Sequence, residues 1–177
     1  MARPAKIELN RELKRILNWG KNSEEFLPML QECARIYREW AVDRYERYSK
    51  GGGDWPALSP RTIAAKRRKG SAHPTWILRD TDRLIKSVSD QNATWFSDLP
   101  NFSTGKMEKI KFHPAIHIGI GESTYPNGLT TDDVFDFHQL GKGRLPKREI
   151  FVNPPREVQD KMASAVLQMM MKAWGNG

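Results

Sequence analysis

A chain of 177 residues and 20.4 kDa is long enough to bury one sizeable core, and two domains would strain it. A net charge of +8 and a pI near 9.7 favour polyanionic neighbours without identifying one, because summed positive charge raises the local concentration of phosphates. The lone Cys33 excludes a disulfide framework and a CxxC metal pair, no apolar run approaches the ~18 residues of a membrane span, and the start MARPAKIELNRELKR lacks the apolar stretch of a signal peptide. A single folded domain over residues 1–177, made in a reducing cytoplasm, is expected.

Leu9, Leu13, Ile16 and Leu17 recur at helical spacing and Gly20 closes the pattern, which predicts a short first helix or N-terminal arm within residues 1–20. From Ser23, residues Phe26, Leu30, Cys33, Tyr37, Trp40, Ala41, Tyr45 and Tyr48 step by three and four, predicting the strongest helix of the chain, ending near Ser49. Pro28 lacks an N–H and clashes one turn back, so regular helix is expected from about Leu27. SKGGGD at 49–54 reads as a flexible loop. Ser59 before Pro60 is an N-cap with proline at the first helical position, predicting a helix over Arg61–Lys69 that Gly70 stops. Leu84, Ile85 and Val88 predict a helix over Thr81–Val88, and residues 92–96 a brief strand.

After a loop at 97–108, Ile110, Phe112, Ile116, Ile118 and Ile120 alternate with Lys109, Lys111, His113 and His117, the period of a half-buried strand. Pro114 requires a bulge or an edge position there. A polar loop at 121–131 precedes the helical turn DDVFDFHQLG, and a second loop at 141–149 leads to a short strand over Ile150, Phe151 and Val152. Asn153 capping Pro154 opens a C-terminal helix over 154–177, with Val158, Met162, Ala165, Val166, Met169 and Ala173 on one side. This order predicts an α+β fold: a small, mainly antiparallel sheet packed with N- and C-terminal helices and extended polar loops.

Few residues suggest chemistry. GGGD at 51–54 lacks the preceding strand and the following Lys-Ser/Thr of a P-loop, so it is expected to be a linker. His113 and His117 have the gap of helical zinc ligands, but on a strand they share one face about 13 Å apart and are expected to face solvent. Asp132, Asp133, Asp136 and His138 are the residue types of a hydrolytic or metal centre. The first two fit instead the first turn of a helix, where negative charge complements the dipole. No catalytic residue, cofactor or metal ligand is therefore expected. Met169 is expected in the core, with Met170 and Met171 pointing elsewhere, toward another subunit.

The stretch DWPALSPRTIAAKRRKG at 54–70 sets an aromatic anchor and a proline turn before five basic side chains within nine residues. Trp55 and Leu58 are expected to pin the turn to the core. Lys66 and Lys69 fall on one side of the helix, and Arg61, Arg67 and Arg68 spread over the other, so no single face collects all five. Lys66, Arg67, Arg68 and Lys69 are expected to be solvated and available to phosphate or an acidic partner without reading bases, and changing these four to Gln is expected to leave the fold intact.

Three stretches taken together resemble one family. Loop glycines followed by DWPALSPRTIAAK, then ILRDTDRLIKSV, then VFDFHQLGKGRLPKREIFV are similar to the virion-morphogenesis or tail-completion (neck, head-tail joining) proteins of tailed bacteriophages. The match places Trp55, Pro56, Leu58, Ser59 and Thr62 in a Trp-Pro turn, Leu78, Thr81, Leu84 and Ser87 in a second step, and His138, Gln139, Gly141, Pro146, Arg148 and Phe151 in a third. Asp82 stands where that family usually has Gly, Phe135 and Asp136 replace Tyr-Ala, and the 121–131 loop is longer. The resemblance implies a non-enzymatic structural subunit of the virion neck or tail end, forming a homo-oligomeric ring, expected as a hexamer, that closes the tail tube and meets the tail tube protein and the head connector or adaptor. Nonspecific contact with genomic DNA is a further expectation, and a nonspecific DNA-binding or DNA-processing protein is the alternative. His138, Gln139 and Arg148 are expected to tie the helical turn at 132–140 to the loop before Ile150.

Overall fold

The computed structural model describes residues 5–7, 23–97, 115–143 and 145–174. The expected helix near Leu9–Leu17, the loop at 98–108 and the strand residues before 115, with His113 and Pro114, lie outside them. The elements are β1 (Ala5–Ile7), α1 (Ser23–Ser49), α2 (Pro60–Arg68), α3 (Arg83–Ser89), β2 (Thr94–Ser97), β3 (Ala115–Ile118), α4 (Thr131–Leu140) and α5 (Arg156–Trp174). The expectation of a mainly antiparallel sheet is overturned: helices make up 53% of the described residues, and the strands are three or four residues long.

Two compact units divide the chain, one joining Arg38–Ala93 with Gly119–Val152, the other joining Pro4–Tyr37, Thr94–Ile118 and Asn153–Gly177. In the second unit β3 runs between β1 and β2, antiparallel to both, with Lys6 and Trp95 opposite His117. Ile116 and Ile118 are buried and His117 between them is half-buried, so the alternation is that of a strand with one face inward.

α1 starts at Ser23, four residues before the expected start at Leu27, and runs through Pro28. The ring is exposed, and lacking an N–H it removes one bond of the ladder. Leu30, Cys33, Tyr37, Ala41 and Tyr45 are all fully buried, as their spacing requires. Burial pushes the Cys33 thiol up to about 12, which keeps it protonated and inert at neutral pH.

The last helix differs from expectation at both ends. It begins at Arg156, because the amides of Val158 and Gln159 bond to the Pro155 carbonyl at 3.0 and 3.1 Å, and Asn153 is not the cap. At the far end the buried stripe is Met162, Val166 and Met170, a step of four residues. Met170 is therefore the core methionine, Met169 is half-buried, and Met171 is 70% exposed.

In the first unit α3 packs against α4. Ile150 and Phe151 are buried but form no strand, which corrects a second expectation. The Gln139 amide takes the place of a partner strand: Oε1 accepts from the Ile150 and Phe151 amides at 2.7 and 3.1 Å, and Nε2 donates to the Phe151 carbonyl at 2.6 Å.

Candidate interaction surface around the Trp55 turn

α2 forms where the sequence places it. Ser59 Oγ accepts from the Thr62 amide at 3.1 Å, Pro60 occupies the first turn, and Gly70, at φ +72°, ends the helix in a conformation that favours glycine. Trp55 is buried edge-on against the rings of Tyr45 and Tyr48, and its Nε1 donates to the Glu149 carbonyl at 3.2 Å. Leu58 is half-buried.

Lys66 is not on the solvated face. It is buried, and its three ammonium donors bond to the carbonyls of His73, Trp76 and Arg79 at 2.8, 2.7 and 2.9 Å. Three donors meet three acceptors, which closes an irregular loop that has no ladder of its own. Desolvation holds the Lys66 pKa below its ordinary value, with Asp80 and Asp82 pulling the other way. Arg61, Arg67, Arg68 and Lys69 are exposed, and their side chains make no ion pair among the described residues.

The loop that Lys66 closes carries two non-glycine residues in the left-handed region, Leu78 and Asp82, both at φ 57°. The Leu78 carbonyl accepts from the Tyr45 hydroxyl at 2.7 Å. The Asp82 carboxylate receives Arg79 Nε and Nη2 at 2.6 and 3.2 Å, and this pairing holds its pKa below the usual carboxylate range. α3 starts at Arg83, two residues later than the spacing suggests, with Asp82 at the N-cap, where its carbonyl accepts from the Lys86 amide at 3.1 Å and its side chain makes no cap bond. Leu84 and Ser87 are buried and Thr81 is exposed.

At α4, Thr130 and Asp133 form a reciprocal capping box, and Asp136 pairs with Lys142 at 2.9 Å. These carboxylates are thus used separately, and among the described residues no group of His, Cys, Asp and Glu could hold a metal ion. Gly141 caps the helix at φ +67°, and a Cβ there would lie 3.0 Å from that of Lys147. The tie to the following loop is made by the Arg148 amide, which donates to the His138 carbonyl at 2.7 Å, and by Gln139.

The Arg148 guanidinium does something else. Buried to 5% exposure, it donates from Nε and Nη2 to the Pro56 carbonyl at 3.3 and 2.9 Å, joining the last motif to the Trp55 turn. The His138 imidazole, expected to bond backbone groups, has a buried Nδ1 without a hydrogen-bond partner. Burial, helped by the Arg148 charge, pushes its pKa down to about 4, so it is neutral at pH 7.

Two further buried cations go unnoticed in a search for chemistry. Arg38 donates to the carbonyls of Val88, Ala93 and Gly119 at 2.6–3.3 Å, and Arg44 to those of Glu149 and Ile150 at 2.6 and 3.2 Å. Their signal was present: both are in phase with the Ala34, Tyr37, Ala41, Tyr48 stripe of α1, where a charge needs an internal partner.

Between α2 and the 145–148 segment lies a cleft of about 590 Å³. Thr62, Ala65 and Lys66 of α2 and its C-cap Lys69 line it at helical spacing, with Leu58, Leu78, Asp80, His138, Leu145 and Arg148 among the other walls. A smaller cavity of about 160 Å³ shares Leu78, Asp80 and His138 with it. No helix among the described residues is long and apolar enough to cross a membrane. Comparison with protein-family models, curated proteins and solved structures finds no match to this chain.

Proposed function

We propose that the chain is a structural subunit of a tailed-phage neck or tail end, which assembles into a ring, closes the tail tube and joins it to the head connector. The observation that supports this reading is that the three resembling stretches, far apart in sequence, lie together: the first and third meet through the matched residues Trp55, Pro56 and Arg148, and Lys66 at the end of the first reaches Arg79 in the second. Trp55 reaches the Glu149 carbonyl, Arg148 reaches the Pro56 carbonyl, and Lys66 reaches the carbonyls of Trp76 and Arg79. The Asp82 backbone adds support. It is left-handed where the resembling family has Gly, the residue that adopts that conformation without strain.

These side chains hold backbone, which suits a scaffold that presents loops to neighbours. Light scattering and negative-stain imaging test the reading, on the chain alone and mixed with connector and tail-tube proteins. Closed rings, or a stable complex with either partner, are expected. A monomer at every concentration and with every partner would overturn it. A second reading, nonspecific DNA binding, draws on Arg61, Arg67 and Arg68 of α2 and on Lys69 at its C-cap, which no described residue pairs, since such cations release counterions from phosphate.

A further inference from the structure

The cleft beside α2 has a composition that neither a phosphate site nor a packing defect explains. Ala57, Leu58, Ala65, Leu78, Leu145 and Pro146 give it apolar walls, and Leu145 stands on them 43% exposed. A volume of about 590 Å³ is that of a site that encloses a small group of side chains.

The charges are uneven: Lys66, Lys69, Arg79 and Arg148 line the cleft against one carboxylate, Asp80. Three of those cations are already engaged, Lys66 and Arg148 by carbonyls and Arg79 by Asp82. The Lys69 ammonium is not engaged by any described residue, and neither is the adjacent Arg68. Both sit at the C-terminal end of α2, whose dipole offers roughly half a negative charge and cannot neutralise them.

We propose that this cleft is a docking groove for an extended segment of a partner protein that sets an apolar side chain next to a carboxylate. The apolar side chain enters between Leu58, Leu78 and Leu145, and the carboxylate meets Lys69. The inference rests on the assembly reading for the existence of a protein partner. A DNA backbone is the poorer occupant: it would leave the apolar walls wet and would find most of the groove's cations engaged.

Methyl NMR of the full chain tests this, with the peptide acetyl-Gly-Leu-Glu-Gly-amide as the probe. The methyls of Leu58, Ala65, Leu78 and Leu145 are expected to shift with an affinity of about 1 mM, as so few contacts allow. Replacing the probe's Glu by Gln, or its Leu by Ala, should weaken binding about threefold or more, the size of one partly exposed contact. Lys69→Gln should abolish the preference for Glu, while Lys69→Arg keeps it. Both changes lie on the surface, and the unbound spectrum reports whether the fold is intact.

Absence of shifts at about 10 mM probe, equal binding of the Glu and Gln peptides, or shifts of the same methyls by a short DNA duplex in preference to the peptide would each overturn the proposal. A chain that forms rings yet shows no shifts would lose the groove alone. A chain that binds the probe but never assembles would lose the ring alone.

Discussion

α5 and the loops beside α2 are both well packed, but they are held in different ways. α5 buries Met162, Val166 and Met170 in a stripe, and its position is the sum of many weak contacts. The loop at 73–79 has only Ile77 fully inside and is organised by one ammonium on three carbonyls. The 148–151 segment is likewise held by Gln139, Arg44 and the Arg148 guanidinium. Periodic burial degrades gradually when an atom is removed. A polar clamp fails all at once, because every group it satisfied is orphaned together.

The largest effect should therefore come from the single helix cation that clamps a loop. Lys66→Met keeps the length and apolar stem of the side chain but leaves the Trp76 and Arg79 carbonyls without a donor and the His73 carbonyl with the Trp76 amide alone, at a cost of about 3–5 kcal/mol. Lys66→Arg should not rescue it, because a planar guanidinium cannot point three donors at carbonyls that converge on one nitrogen. Urea unfolding measures both. If Arg restores most of the stability, the clamp is a matter of charge and not of geometry.

On the periodic side, Met162→Ala should cost about 2–3 kcal/mol through the cavity it leaves, and Met171→Ala less than about 0.5 kcal/mol. The same denaturation series checks the register. A larger loss at Met171 than at Met162 would show the helix rotated from the stripe seen here.

Next is the His138 imidazole, which sits against the clamp. Its pKa is about 4 in the folded chain and 6.5 as a free group, so on acidification the unfolded state takes up its proton first. Stability due to the neutral ring is complete above pH 6.5 and is lost as the pH falls from 6.5 to 4. Asp82 and Asp133, held below the usual carboxylate range, contribute stability that is lost only at lower pH. Midpoints measured across the upper window should fall with pH in the parent and stay flatter in His138→Gln. Equal slopes would place the ring in water.

Sequence reading found the periodic region and the caps more readily than the clamps, and the reason is physical. Ser59–Pro60, Gly70 and the carboxylates opening α4 are local signals, decided within four residues, and the structure uses them where they stand. The buried stripe of α5 was visible to within one residue at Met169 and Met170, an ambiguity that a 3.6-residue period creates wherever methionines are consecutive. The strand over Ile150–Val152 was misread because its alternative partner, the Gln139 side chain, carries no period at all. Lys66 was misread for the same reason. A cation is counted as surface unless the acceptors it will meet are known, and those acceptors are carbonyls of a loop whose path the sequence does not state. Arg38 and Arg44 were legible in principle, as charges in phase with an apolar stripe.

The smallest effect belongs to the cations that the clamps do not use. Arg67, Arg68 and Lys69 changed together to Gln should alter stability by less than about 0.5 kcal/mol, because exposed, unpaired charges have no native partner to lose. Adding Lys66→Gln to the same variant should cause the loss already assigned to Lys66, so the four-residue change is not neutral even though three of its members are. Any DNA affinity of the parent should be indifferent to sequence and mostly gone by roughly 200 mM salt, and in the triple variant the dependence of log K on log salt should flatten by up to about three. Fluorescence anisotropy with two unrelated duplexes over a salt series measures both. A triple variant that unfolds would mean that these side chains belong to the scaffold as Lys66 does. One that keeps the parent's full salt slope would mean that phosphate contact is made elsewhere on the chain, and that α2 faces a protein.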